Sequence, residues 1–482
     1  MKRPLLSIAM LCLLLARPVI GQVDVERFNR QIEQIQRDTR LLVNPSVPVD
    51  QRSYFDYGAY FTFNYLSLDE ATLNNRALRQ YDLTAYGRLN IDGVHEIFVR
   101  GRAFYRDFND GDSFDSDVNG WDGRVERAYY QFDLGRYMAG KTGKLADGNV
   151  IVKVGRDLAY WGNGLVLSEE LDGGMIDLSA GPATLDLLAG RTPSDTFDID
   201  SSRPGFDGHT NRMFLGAMLS ARAGVHRPYI YALVQRDHNG NDVSTDGSIV
   251  TRYDYNSYYF GIGSTGALTD RLAYGLEAAY EAGDTLSNSA FTEPDPNAPG
   301  SFITVPQSRD DVQAWALDGQ LNYLLPDTRH TRLSGEFILA SGDSDRVATT
   351  TTLGGNQPGT VDHAFNAFGL LNTGLAFAPN VSNLISLRGG VSLFPWPDVK
   401  SLSRLQVGTD VFVFSKWLAN APIDEATTND HYLGFEPDVY LNWQITSDVT
   451  LAVRYGAFVP GAAIVNNGEI RQFFYTGVTF AF

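Results

Sequence analysis

Cysteine is almost missing from this chain, with one residue, Cys12, in 482. That excludes a disulfide framework and the thiolate metal sites of small secreted domains. Long apolar runs are missing as well. The longest, Leu5 to Leu15, falls short of the roughly 20 residues a membrane-spanning helix needs, so a helical membrane protein is excluded. Histidine is scarce, at 7 residues. His95-Glu96 has no second histidine four residues on, so the zinc-hydrolase spacing does not occur. No phosphate-binding loop is present. Gly261-Ile-Gly-Ser-Thr-Gly266 spells a dinucleotide-binding pattern, but it leaves an aromatic strand and enters a hairpin, with no helix to offer amides. Basic charge is in deficit, with 39 Lys and Arg against 57 Asp and Glu and a net charge of −18, which disfavours a nucleic-acid partner. No linker and no shift of composition divides the chain after about residue 50, so a string of soluble domains is excluded.

What is present is aromatic residues, 12% of the chain, and alternation. The last ten residues, Phe473 to Phe482, place Phe474, Val478, Phe480 and Phe482 on one face and Tyr475, Gly477, Thr479 and Ala481 on the other. A lipid-facing and a lumen-facing side fit this pattern, and the aromatic terminus suits recognition of Phe482 by barrel-assembly machinery. The start agrees: Lys2 and Arg3, an apolar run and Val19-Ile-Gly21 read as a secretory signal over residues 1–21. Residues 22–50 then carry Val25, Phe28, Ile32, Ile35 and Leu42 at helical spacing, predicting a short N-terminal periplasmic helix. Residues 51–482 form the third unit. From Tyr54 onward, period-two segments separated by Asn, Asp, Gly and Pro clusters number about 19, one of them at 365–378. An even count is required, so the chain is expected to be all-β, a transmembrane antiparallel up-and-down barrel of about 18 strands, with 16 as the fallback. Short turns at 91–94, 264–270 and 445–448 suit the periplasmic side. Long polar stretches at 108–122, 192–210, 237–250, 283–311, 342–364 and 418–430 suit the cell surface.

On such strands the inward residues can be named. Bases assigned there include Arg88, Arg100, Arg102, Arg106, Arg127, Lys153, Arg212, Arg222, Arg388 and Arg454, and acids include Asp56, Asp82, Asp157, Glu277, Glu281, Asp318, Glu336, Asp410, Glu436 and Asp438; in all, roughly 15 bases slightly outnumber 12 acids. Guanidinium groups in a watery constriction favour anions, because low-dielectric walls focus the field and Arg offers bidentate donors to carboxylates. The opposing possibility is that each Arg pairs with a neighbouring carboxylate and stiffens the wall. Arg100 and Arg102, with Arg106 on the same strand face, are hardest to neutralise locally. Phe98, Phe104, Tyr129, Phe394 and Trp396 also point inward by alternation, either to slide sugar rings or to pack under an inward-folded loop. Asp107, Asp110, Asp112, Asp115, Asp117 and Asp122 crowd one loop, but their spacing departs from a calcium-binding loop and reads as solvated acid. No metal or cofactor is implied.

Val154-Gly-Arg-Asp-Leu-Ala-Tyr-Trp-Gly-Asn-Gly164, Gly434-Phe-Glu-Pro-Asp438 and Arg454-Tyr-Gly-Ala-Phe-Val-Pro-Gly461 resemble segments of the alginate-export family of bacterial outer-membrane proteins. The resemblance covers the barrel from about Tyr54 to Phe482. It implies an 18-stranded monomeric pore that passes an acidic polysaccharide, oligosaccharide or similar anionic solute, and it adds Arg156 to the lumen set. Strict alternation from Val154 puts Arg156 on the other face unless a bulge intervenes. The expectation is therefore a non-enzymatic channel in the cell outer membrane, in contact with lipid and lipopolysaccharide. Two alternatives stand beside it: a barrel hydrolase using His209, His330, His363 or His431 at its rim, and a non-conducting receptor or adhesin.

Overall fold

The computed structural model describes residues 53–72, 74–112, 119–144, 146–240, 242–247, 249–298, 300–349, 351–465 and 468–482. The expected signal and the helix predicted within 22–50 lie outside them. Eighteen strands form one sheet. They are Ser53–Asp69, Asn75–Ile91, His95–Phe108, Gly120–Asp133, Gly148–Tyr160, Ser168–Ala180, Ala183–Arg191, Arg212–Ala221 and His226–Asp237 in the first half. The second half contains Tyr255–Thr269, Leu272–Leu286, Arg309–Leu324, Arg332–Ala340, Leu384–Leu393, Leu405–Lys416, Tyr432–Gln444, Val449–Pro460 and Arg471–Ala481. Each pairs antiparallel with the next, and the first closes on the last, with Tyr60 opposite Ala481 and Leu68 opposite Phe473. Closure removes the sheet edge, which is the condition for a sheet to cross hydrocarbon without orphaned amides.

The period-two pattern sets which side meets lipid. Along Arg471–Ala481 the residues Arg471, Phe473 and Tyr475 are buried on the inner side while Phe474 and Phe480 are exposed on the outer. Outward rings make two belts. Phe63, Tyr81, Tyr105 and Trp121 run in a row with centroids 5.1, 6.3 and 5.4 Å apart. Near the opposite end Phe55 stacks on Tyr57 at 5.6 Å and His95 on Tyr130 at 6.0 Å. From Trp121 to Tyr130 is about 30 Å of strand, or roughly 22 Å along the normal after a tilt near 40°, close to the apolar height of an outer membrane.

Connections alternate in size. Those at 92–94, 181–182, 222–225, 270–271 and 445–448 are short and share one end with the helix Leu134–Thr142. Those at 192–211, 238–254, 287–308, 341–383 and 417–431 are long and share the other. The helix was not expected. Asp133 caps it, accepting from the Arg136 amide at 2.9 Å, and Gly143 ends it at φ 70°. Nine residues give too little periodicity to stand out from strand alternation.

The expected strand at 365–378 does not form, so the count is 18 rather than 19. This segment belongs to the 341–383 connection, which folds into the barrel. Phe365, Phe368, Leu371 and Phe377 are buried there, and burial from both sides produces the apolar run that imitates a strand. Gly369 marks its closest approach to another inward segment, since a Cβ there would lie 2.0 Å from the Leu165 carbonyl oxygen.

Candidate functional site

Two walls of the bore have different roles. On strands Leu272–Leu286, Arg309–Leu324 and Tyr432–Gln444 the inward carboxylates hold loop backbone. Glu436 accepts from the amides of Leu375, Ala376 and Phe377 at 2.5, 2.6 and 2.8 Å. Glu281 accepts from Asn366 at 2.8 Å, and Glu277 from Asn163 at 2.5 Å. Asp318 receives the Asn163 side-chain amide at 2.8 Å. All four acids have no solvent exposure. Glu277, Glu281 and Glu436 supply the hydrogen-bond acceptors that loop backbone needs once it is withdrawn from water, and Asp318 does so for a loop side chain.

The inward segments form one body. Ser168 donates its amide to Phe368 at 2.7 Å and Leu370 to Gly164 at 2.9 Å. Asp200 of 192–211 accepts from the Thr352 amide at 3.1 Å and from the Thr352 hydroxyl at 2.5 Å. Asp198 binds Arg212 at 2.6 Å, fully buried. Burial pushes the Asp198 carboxyl up, but Arg212 and Arg203 outweigh it and hold the group below the usual carboxylate range. Burial pushes Asp200 above that range despite donors from Ser202 and Thr352. Phe197, Leu375 and Ala376 reach across to Leu66, Leu68, Leu78 and Phe108 on the opposite wall. The bore is narrowed towards its cell-surface end.

Strands Asn75–Ile91 to Gly148–Tyr160 carry the basic strip. Arg106 stands uppermost, then Arg102 opposite Arg124, then Arg100 opposite Arg127. Carboxylates meet the bases of this strip: Arg88 pairs with Asp56 at 3.0 Å, Arg102 with Asp82 at 2.7 Å, and Arg100 with Glu126 at 2.6 Å. Asp157 takes Lys153 at 2.7 Å and Arg127 at 3.5 Å. The side chains of Arg127 and Lys153 are 23% and 25% exposed against 8% for Arg102, so they reach further into the bore than Arg102 does. Rings alternate with the charges. Arg102 and Arg106 both lie 4.9 Å from the Phe104 centroid. Below them Tyr86, Phe98 and Tyr129 stack at 6.3 and 5.4 Å, with the Lys153 ammonium 4.7 Å over Tyr129.

Of the other expected lumen residues, some lie elsewhere and some face inward but are held by partners. Arg156 faces outward with Val154 and Ala128, because no bulge interrupts its pairing, and binds Asp172 at 2.7 Å. Arg222 lies past the strand end in the exposed turn 222–225. Arg212 faces inward but is a buried strut between Asp198 and Asp237. Arg388 is held by Glu336 at 2.5 Å, with Asp410 at 3.6 Å. Arg454 faces inward over Tyr440 and donates to the carbonyls of Leu441 and Val453 at 3.2 and 3.1 Å. Phe394 and Trp396 fall in the connection after Leu393 rather than on the wall. Glu96, Asp122, Glu126, Asp177, Asp237 and Asp310 also face inward, which removes the small basic excess. Glu126 was hidden by a bulge between Arg100 and Gly101 that shifts register. In the aspartate-rich loop, Asp115 and Asp117 lie outside the described residues. Asp112 accepts from the Ala77 amide at 2.9 Å, and Asp107 pairs with Arg79 at 3.3 Å. His363 and His431 each place Nδ1 on a backbone carbonyl, of Gln313 at 2.8 Å and of Lys416 at 3.0 Å.

A closed 18-stranded barrel with two aromatic belts and a bore partly filled by surface loops is an outer-membrane channel. The alginate export family model matches residues 68–476, and the chain belongs to that family. The barrel is similar to a BenF-like porin from Pseudomonas fluorescens Pf-5, at TM-score 0.54 and 10% identity over 89% of this chain and 98% of that one. It is also similar to Pseudomonas aeruginosa OccK11 (OpdR), at TM-score 0.51 and 12% identity over 89% and 95%. The outer membrane protein OprD from Pseudomonas aeruginosa gives 0.50 and 11% over 89% and 93%. No curated protein matches the chain.

Proposed function

We propose that the channel passes anionic solutes, an acidic polysaccharide or oligosaccharide such as alginate being the class that fits best, by diffusion along the strip on strands Asn75–Ile91 to Gly148–Tyr160. One observation carries this reading: guanidinium groups and aromatic rings alternate down one wall, Arg106, Phe104, Arg102, Arg100 with Arg127, then Phe98 with Tyr129. A uronic-acid chain repeats a carboxylate and an apolar ring face, and the strip repeats their complements. The pairing carboxylates matter to transport rather than oppose it. A guanidinium already half-neutralised binds a passing anion weakly, and a channel must release what it binds. Glu277, Glu281, Asp318 and Glu436 face amide donors and not the path. The protein works as a monomer with no catalytic step, surrounded by lipid and lipopolysaccharide, and Phe482 is what the assembly machinery reads.

Single-channel recording in planar bilayers tests this. Steady current, a reversal potential on the anion side in a salt gradient, and transient block by alginate oligosaccharides but not by neutral ones are expected. Phe98→Ala and Tyr129→Ala should shorten the blocks. Cation preference, or equal block by neutral sugar, overturns the reading.

A further inference from the structure

One element serves neither the closure of the barrel nor its constriction. Residues 134–147 join the adjacent strands Gly120–Asp133 and Gly148–Tyr160, although residues 181–182 are enough for the neighbouring turn at the same end. The extra length contains the helix Leu134–Thr142. None of its residues is buried, and Leu134, Tyr137 and Met138 are exposed. So short a helix is marginal in water unless its apolar side chains pack against something. The protein alone does not cover them.

The helix faces a crevice of about 440 Å³, within the roughly 300–1,000 Å³ of ligand pockets. Leu134, Gly135 and Met138 form one side. The other side is the outer face of the barrel: Val150 pairs with Leu178, Leu178 with Leu185 and Leu185 with Leu219, a row across four strands that shares the outward direction of Val154 and Arg156. Ala180 and Ala183, paired beneath that row, keep the trough open with short side chains. The helix therefore overhangs the lipid face. Asn149 fixes its first turn there, accepting from the Gly135 amide at 2.6 Å.

Depth follows from the rings beside the short turns. His226 and Tyr274 point outward there with centroids 5.7 Å apart. Ile230, the partner of Leu219, stands four residues further up the strand than His226, or about 10 Å along the normal. The crevice opens into the apolar part of the periplasmic leaflet. Charge lies at the end of the same helix face: Lys141 follows Leu134 and Met138 at helical spacing, with its ammonium 4.5 Å over the Tyr137 ring, and Lys144 comes just beyond. Both are exposed, and among the described residues neither meets a carboxylate. Arg136 turns away, donating to the Gly93 carbonyl at 3.0 Å. Residues 134–147 hold three bases against one acid, Asp147, so this end attracts anions.

We propose that this is a site for one glycerophospholipid of the periplasmic leaflet, with an acyl chain between the helix and the Val150–Leu219 row and the phosphate diester against Lys141 and Lys144. An apolar trough that ends at two ammonium groups complements a molecule in which an acyl chain ends at a phosphate. Bulk lipid touches the whole outer face of the barrel. Here the helix covers the chain from the side and retains it.

Native mass spectrometry of the intact chain, released from detergent micelles containing 1-palmitoyl-2-oleoylphosphatidylglycerol, tests this. One lipid should stay bound to the unaltered protein. Ala183→Trp, which fills the trough, and Lys141→Glu with Lys144→Glu, which reverses the charge, should each lower the bound fraction about tenfold. Leu387→Trp, outward on a strand remote from the helix, should leave it unchanged. Heat-modifiable gel migration reports that each variant is folded. No retained lipid, retention unaltered in either trough or charge variant, or equal loss in Leu387→Trp overturns the site. Should Ala183→Trp fail to fold, the exposed lysine pair decides alone. Transport plays no part in the readout, so the outcome is independent of which solute the bore carries.

Discussion

Replacing Glu436 by Ala should open the bore. The carboxylate is fully buried and is the acceptor for three successive amides, Leu375, Ala376 and Phe377, at 2.5 to 2.8 Å. Removing it strands three buried donors at about 1–3 kcal/mol each. The variant also loses the desolvation cost of the carboxylate itself, so the lower end, about 3 kcal/mol, is the sounder figure. At 1.4 kcal/mol per decade this shifts the docked-to-undocked ratio of the 341–383 segment by about 100-fold. Single-channel conductance should rise with added open-state noise, and limited proteolysis should begin cutting between residues 365 and 378. Glu436→Asp, which keeps the charge one methylene short, should fall between. Unchanged conductance together with unchanged protease resistance would refute the view that this acid holds the constriction in place.

Gly374→Ala should act in the same direction at a cost of about 1–2 kcal/mol, since Gly374 has φ 97° and its Cβ would lie 2.9 Å from Glu436 Oε1; conductance reads this too. Arg100→Glu and Arg102→Glu each place an acid beside Glu126 or Asp82, so the reversal potential in a salt gradient should move towards the cation limit, and an unmoved value would sink the strip as the selectivity element. Asp198→Asn breaks a buried pair with Arg212, worth about 3–5 kcal/mol, and heat-modifiable gel migration should show unfolding at a lower temperature. The lowered Asp198 pKa fixes the sign of its pH dependence: its contribution is present above the ordinary carboxylate value and is lost as pH falls through the depressed one. Asp198 therefore acts to raise protease access to 192–211 in acid, and in Asp198→Asn the pH dependence should lose that contribution while keeping the one from Asp200.

Period-two alternation, the turn residues and the terminal aromatic strand were enough to derive a closed membrane barrel, its 18 strands within one, and which end carries the long loops. The physical reason is local: a strand sends successive side chains to opposite faces, so lipid and water leave their mark on every second residue. Phe98, Phe104, Tyr129, Arg100 and Arg102 were placed on the correct face by that rule alone. Tertiary structure decided what the charges do there. Glu436 meets amides about 60 residues away in sequence, Asp198 meets Arg212 across a loop, and a bulge brings Glu126 to Arg100. None of these has a periodic signature, because they depend on where an inward loop docks and on a one-residue slip in register. Arg156 is the sharpest case, since strict alternation put it outward while the family resemblance put it in the lumen, and the uninterrupted pairing of its strand decides for alternation.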